Sequence, residues 1–360
     1  MMKHDEGEFD RLCSDLIEAL QAFESLQRRF DPGIIPHLCD EIRPVAEQLE
    51  HALDRVPPAA PDSAREALRN AAELTVTSLQ LFITSAGFEE SLIAVRKAQR
   101  KIGRAQEVLY PVRHTFPVVD RFFIEPPMSG RIDNRDPGAH SNDDVGLMHV
   151  GMDDHPYARG SFSLYVPESY HNSESFPLVV ALHGGWGHGR DFLWLWLREA
   201  RSRRFLLLSP SSQRITWSIT GPDVDAEALA GMLHYIMKRW NINSNRILLT
   251  GLSDGATYAL KHCQQETSPF TGFAPVAGVL PPYDLRGAKN RRIFWVHGYY
   301  DWMFPVKRAE QDANILKLSG ADVTLRVIED LSHTYPRELN DAILTWFDPT
   351  LSLPAYQSSM

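Results

Sequence analysis

Cysteine is scarce in this 360-residue chain. The three that occur, Cys13, Cys39 and Cys263, are odd in number and far apart, which excludes a disulfide framework and leads us to expect reduced thiols in a cytoplasmic protein. Long apolar runs are missing too: no window approaches the roughly 18 uninterrupted apolar residues of a membrane span. The opening "MMKHDEGEFDRL" has no apolar signal core. Positive charge is in deficit, with 37 Lys and Arg against 46 Asp and Glu and a net charge of −9. Basic residues gather only in short runs such as Arg201 to Arg204, so a nucleic-acid footprint is not expected. There is no H-E-x-x-H, no paired Cys/His spacing, no G-x-x-x-x-G-K loop and no dinucleotide fingerprint; "HGGWGHGR" is glycine-rich but lacks the lysine and the spacing. No metal and no cofactor are therefore expected.

What is present divides the chain in two. With 43% apolar and 23% charged residues, the composition is that of an ordinary globular protein long enough for two domains. Residues 1–110 carry one period, and it is helical: Phe9, Leu12, Leu16, Leu20, Phe23, Leu26 and Phe30 recur at steps of three or four. Ile35, Leu38, Ile42, Val45, Leu49 and Leu53 repeat the pattern after the Asp31-Pro32-Gly33 break. A third helix is expected from Ser63, which with Glu66 has the spacing of a capping box. A fourth follows Gly87, with Leu92, Val95, Ile102 and Leu109 on one face. Four one-sided helices with short connections predict a bundle, for which we expect a role in homo-oligomer assembly or access to a site. Residues 111–144 are rich in proline and polar residues and read as a linker, within which "VVDRFFIE" suits a strand or a packed segment. Asp133, Asp136, Asp143 and Asp144 lack the spacing of a calcium loop.

Residues 145–350 change period again. "FSLYVPESY", "PLVVALHGG", "FLLLSP", "RILLTG", "GFAPVAG", "RRIFWVHG" and "VTLRVIED" read as strands, several of them followed by helical stretches such as "DAEALAGMLHYIMKRW". Continuous apolar runs suit strands covered on both faces, and their alternation with helices predicts an α/β fold with a doubly wound, mostly parallel sheet. Chemistry in such sheets sits beyond the carboxyl ends of the strands.

Four strand ends carry the residues of interest. In "RILLTGLSDGATYAL" a serine, Ser253, stands between Gly251 and Gly255 at a strand-to-helix turn. As a bland alternative it is a helix cap between two turn glycines. "VVALHGGWGHG" ends in His183-Gly184-Gly185-Trp186, a bare turn able to present N–H groups to an oxyanion. "IFWVHGYYDWMFPV" supplies Asp301 and "RVIEDLSHTYP" supplies His333. A serine hydroxyl is a weak nucleophile at neutral pH and needs a base. An imidazole suits that task, and a carboxylate holds the imidazole in the required tautomer. His183 and His297, each before a glycine, are expected to order their turns.

Residues 145 to 347 resemble the α/β-hydrolase superfamily, and within it the phospholipase/carboxylesterase group that includes acyl-protein thioesterases. "LHGG", "GLSDGA", "HGYYDWMFPV" and "LSHTYP" carry the likeness. The resemblance implies Ser253 as nucleophile, His333 as base and Asp301 as acid, with the backbone N–H groups of Gly185 and Asp254 as oxyanion hole. Asp254 departs from the group's usual neutral residue, Ala256 replaces a frequent glycine, and "FPV" reverses the usual valine-proline order. The Asp254 side chain is expected to point away from the oxyanion.

Together these features predict a carboxylesterase that works through an acyl-serine intermediate on a small-molecule ester. A serine peptidase of the same superfamily, or a catalytically silent fold whose helical bundle binds a partner, are the alternatives. Trp186, Trp217, Tyr299, Tyr300, Trp302 and Phe304 follow strand ends and are expected at the mouth of the site. They favour short or aromatic acyl groups there.

Overall fold

The computed structural model describes residues 2–85, 88–130, 144–151, 155 and 157–354. The chain forms two compact units, Met1–Ser129 and Gly130–Met360.

Among the described residues the first unit is helical: α1 (Met2–Arg28), α2 (Ile35–Arg55), α3 (Ala64–Ile83), α4 (Phe88–Leu109) and α5 (Pro117–Phe122). Most of the expected stripes are buried, Leu12, Leu16, Leu20 and Phe23 of α1 and Leu38, Leu49, Leu68, Leu79 and Phe82 of α2 and α3, on which α1 packs, while Val45, Leu53, Val76 and Leu92 are half-buried. Phe23 and Phe30 both pack on Phe82, at ring separations of 6.5 and 6.3 Å. Ser63 caps α3 by accepting from the Glu66 N–H at 3.1 Å. The Glu66 side chain reaches back one residue further than in a standard capping box, to the N–H of Asp62. Gly87 lies outside the described residues.

Of the segment read as a linker, residues 111–128 are helical turns carried on the bundle. Phe116, Val119, Phe122, Phe123 and Ile124 are buried, Phe123 meets Tyr110 edge-on at 5.1 Å, and α5 packs on α1. "VVDRFFIE" is thus a short helix and the turn after it, not a strand. Pro111 and Pro117 occupy first-turn positions, where a missing N–H costs nothing. Residues 131–143, including Asp133, Asp136 and Asp143, lie outside the described residues.

The second unit runs β1 (Gly146–Val150), β2 (Phe162–Val166), β3 (Phe176–Leu182), α6 (Gly189–Phe192), α7 (Leu197–Arg203), β4 (Leu206–Pro210), α8 (Val224–Arg239) and β5 (Ile242–Leu252). It continues α9 (Asp254–Cys263), β6 (Gly272–Val276), β7 (Arg292–Gly298), α10 (Val306–Leu318), β8 (Asp322–Ile328) and α11 (Asn340–Phe347). The strands form one sheet in the order β1-β2-β4-β3-β5-β6-β7-β8. β1 and β2 pair antiparallel and every pair from β4 onward is parallel. The fold is an α/β, doubly wound, mostly parallel sheet preceded by a helical unit. β1, absent from the expected strands, is half-buried at the sheet edge.

One layer of the core joins Leu178, Val180 and Leu182 of β3 to Leu233 and Ile236 of α8, Leu260 of α9 and Leu316 of α10. The alternate residues Val179 and Ala181 are buried as well, as covering on both faces requires. β3 is followed in chain order by β4 on one side and β5 on the other. At this reversal the turns after Leu182 and Leu252 meet beyond the carboxyl ends of β3 and β5, the place where sheets of this kind bind ligands.

Candidate active site

Ser253 occupies the turn between β5 and α9 with φ 54° and ψ −115°, a strained conformation for a residue with a side chain. Its N–H donates to Val276 O at 2.9 Å and its carbonyl accepts from Thr257 N–H at 2.9 Å. Both ends of the turn are thereby tied, one to the sheet and one to the helix. A Cβ on Gly251 would stand 2.7 Å from Gly255 C, and one on Gly255 only 2.5 Å from Leu182 O. The glycines flanking the serine are thus demanded by close backbone approach.

His333 lies in the turn beyond β8, and its Nε2 is 2.9 Å from Ser253 Oγ. Its Nδ1 is 2.9 Å from Asp301 Oδ2. A carboxylate oxygen only accepts, so Nδ1 carries the proton and Nε2 is left to accept from the serine hydroxyl. Asp301 follows β7, its side chain fully buried. Oδ1 accepts the N–H groups of Met303 at 3.0 Å and Phe304 at 2.7 Å. His297, at the end of β7, donates Nε2–H to Phe304 O at 2.7 Å and lies 3.4 Å from Asp301 Oδ2. Burial pushes its pKa down, so it is a neutral floor beneath the carboxylate. Phe304 meets the His333 ring edge-on at 5.2 Å and Trp302 approaches it at 6.1 Å.

The turn after β3 faces this row. His183 Nε2 accepts from Ser212 N–H at 3.1 Å, which places the proton on Nδ1, and Nδ1 donates to Gly184 O at 2.7 Å. Burial drives the His183 pKa down to about 3. Neither Gly185 N–H nor Asp254 N–H finds an acceptor among the described residues. For Asp254 this follows from its place in the first turn of α9. Loop 211–223 clasps the same turn: Trp186 N–H donates to Ile215 O at 2.9 Å and Trp217 Nε1–H to His183 O at 2.7 Å. The loop is itself anchored by buried Asp225, which accepts from Gln213 N–H and from the N–H and hydroxyl of Ser218. The Asp254 side chain lies against Gly185, and the Thr216 hydroxyl donates to its Oδ2 at 2.5 Å.

Among the residues expected at the mouth, Trp186, Tyr299 and Tyr300 are 56, 56 and 61% exposed. Trp302 and Phe304 are half-buried beside His333. Trp217 is a correction. It is 3% exposed, stacks on Tyr258 at 5.3 Å and belongs to the core under the turn. Its aromatic neighbours and its indole hydrogen bond draw it inward, so it does not line the mouth. Thr216 is not legible in the sequence, since a threonine in a polar loop carries no local signal.

Among the described residues no group of three His, Cys, Asp or Glu is arranged to hold a metal ion, and no helix is long and apolar enough to cross a membrane.

Residues 223–348 match the Phospholipase/Carboxylesterase family model, and that segment holds Ser253, Asp301 and His333. Among curated proteins, the bifunctional acetylxylan esterase/xylanase XynS20E of Neocallimastix patriciarum is 26% identical over 171 residues, covering 45% of this chain and 23% of that protein. The chain therefore spans about a quarter of that relative's length. Of solved structures, the carboxylesterase of Bacillus cereus is similar at 19% identity, covering 52% of this chain and 93% of its own, with a TM-score of 0.41. The acetyl xylan esterase of Aspergillus awamori is similar at 14% identity, covering 56 and 98%, with a TM-score of 0.44. Residues 223–348 are thus similar to the phospholipase/carboxylesterase family, and they lie within the mostly parallel sheet unit described above.

Proposed function

We propose that the protein is a serine carboxylic-ester hydrolase acting through an acyl-serine intermediate on short-chain or aromatic acyl esters. The observation that carries this reading is the unbroken row Ser253 Oγ, His333 Nε2, His333 Nδ1, Asp301 Oδ2, with 2.9 Å at each hydrogen bond. In the first step Ser253 Oγ attacks the ester carbonyl carbon while its proton passes to His333 Nε2. The carbonyl π pair moves to oxygen, where the N–H groups of Gly185 and Asp254 receive the negative charge. Asp301 does not take the proton; its charge stabilises the imidazolium. Collapse of the tetrahedral adduct breaks the carbon–oxygen bond to the alcohol, which leaves with the proton from Nε2. Water, deprotonated by the same nitrogen, then adds to the acyl-serine; the acid departs and the serine hydroxyl is restored.

The curated relative bears the name of an acetylxylan esterase, which supports a small acyl group. Exposed Trp186, Tyr299 and Tyr300 provide flat faces for an aromatic or ring-bearing substrate. A fluorophosphonate probe should label the wild-type protein at Ser253 and leave Ser253→Ala unlabelled. Across acetyl, butyryl, octanoyl, palmitoyl and cinnamoyl esters, kcat/KM should peak among the short or aromatic acyl groups. A maximum at palmitoyl would refute that preference, and normal turnover by a folded Ser253→Ala protein would refute the mechanism.

A further inference from the structure

The residue after Ser253 carries a charge where its position in the site has a consequence. Asp254 is half-exposed and its backbone N–H is one of the two proposed oxyanion donors. Its Oδ2 accepts from Thr216 Oγ1 at 2.5 Å. The same oxygen lies 2.6 Å from the place a Cβ on Gly185 would take, so the carboxylate is seated directly on the turn that presents the other donor. Among the described residues no lysine, arginine or histidine forms an ion pair with it. The nearby carboxylates are engaged: Asp301 with His333 and Asp223 with Lys261, at 2.9 and 2.8 Å. Exposed Arg214, two residues before Thr216, makes no ion pair with Asp254. Asp254 thus places a negative charge, with no ion-pair partner among the described residues, against the turn that holds Gly185.

We propose that the Asp254 carboxylate is a charge filter that sets the substrate class: uncharged or cationic esters are accepted and esters bearing an anionic group near the scissile carbonyl are rejected. This rests on the acyl-serine reading above. A second negative charge brought beside half-buried Asp254 meets like-charge repulsion, stronger where the effective dielectric is below that of bulk water. Specificity arises here from a repulsive element. The hydroxyl of Thr216 and the contact with Gly185 hold the charge in place, so the substrate cannot push it out to solvent at small cost.

The test compares 3-acetoxybenzamide with the 3-acetoxybenzoate anion, acetyl esters of closely similar shape that differ in charge and carry a single ester bond each. The quantity read is the ratio of kcat/KM, neutral over anionic. In Asp254→Asn, which keeps an acceptor for Thr216, the ratio should fall about tenfold, the scale of a removed like-charge contact. In Thr216→Val, which keeps the charge, it should fall far less. In the wild type the ratio should also shrink on going from about 0.1 M to about 1 M salt, as the Debye length drops from ~10 to ~3 Å. This arm holds even if the variants fold poorly. An unchanged ratio in a folded Asp254→Asn protein, or a ratio insensitive to salt, overturns the filter while leaving the acyl-serine mechanism intact. Wild-type protein that neither labels with fluorophosphonate nor turns over the neutral ester overturns the mechanism, and the filter with it.

Discussion

The Nδ1–H of His183 and the carbonyl oxygen of Gly184 are 2.7 Å apart, and the same oxygen accepts Gly187 N–H at 3.0 Å. In a trans peptide the C=O and the following N–H point in opposite directions. Two donors on Gly184 O therefore aim Gly185 N–H the other way, away from the His183 ring. Replacing His183 by Ala frees this peptide to turn. We expect kcat to fall roughly tenfold, less than the 10²–10³ typical of a deleted oxyanion donor, with KM little changed. The pH profile of the residual activity should match the wild type, since the His183 pKa lies down at about 3. Steady-state kinetics across pH check this; a loss confined to KM would count against the peptide-orienting role.

Ser253, His333 and Asp301 are joined by two hydrogen bonds of 2.9 Å and should behave as one unit. Alanine at Ser253 or His333 is expected to lower kcat by about four or more orders of magnitude, and the double variant by little more. Ser253 also holds φ at 54°, so Ser253→Gly should raise the stability measured by urea unfolding by about 1 kcal/mol as backbone strain is relieved. A destabilised Ser253→Gly protein would contradict the strain assignment.

Trp186 and Trp217 should part company under mutation. Trp217 is buried, stacked on Tyr258 and bonded to His183 O. Trp217→Ala should therefore cost about 3–5 kcal/mol of stability, as large core truncations do. Trp186 is mostly exposed, and Trp186→Ala should leave the melting temperature close to wild type while shifting acyl preference toward bulkier groups. Thermal melts beside an acyl-ester panel separate the two effects.

His262, buried in α9 between Tyr258 and Phe270, has no hydrogen-bond partner for either ring nitrogen among the described residues. Burial lowers its pKa to about 4. The unfolded chain binds a proton here near pH 6.5 while the folded one does not. Stability is thus full above about pH 6.5, falls as the pH drops toward 4, and loses up to about 3 kcal/mol over that window. His262→Phe should flatten this part of the acid limb in denaturant titrations run at several pH values. An unaltered limb would assign the loss to other groups, His183 first among them.

Much of the candidate site was legible in the linear chain because Ser253, Asp301 and the His183 turn each sit just beyond an unbroken apolar run, and His333 follows the last strand, a mixed one. "RILLTG", "PLVVALHGG" and "RRIFWVHG" read as strands covered on both faces, and a parallel sheet delivers the residues after its strands to one edge. Ser253, Asp301, His333 and the His183 turn were thus placed together by local pattern. The helical stripes of residues 1–110 were legible for the same reason, since a period of 3.6 is a local property.

The tertiary structure alone decided the rest. Trp217 and Trp186 both follow strand ends, yet one stacks in the core and the other faces solvent, because Tyr258 and the carbonyl of His183 stand where only the folded chain brings them. Residues 111–128 have the composition of a linker and are nonetheless packed, since prolines fit first turns and phenylalanines find the bundle. The hold of Thr216 on Asp254 spans 38 residues of sequence. Sequence spacing dictates which face of an element a side chain takes; whether that face meets solvent, a ring or a hydroxyl from a distant loop depends on contacts that exist only once the chain has closed on itself.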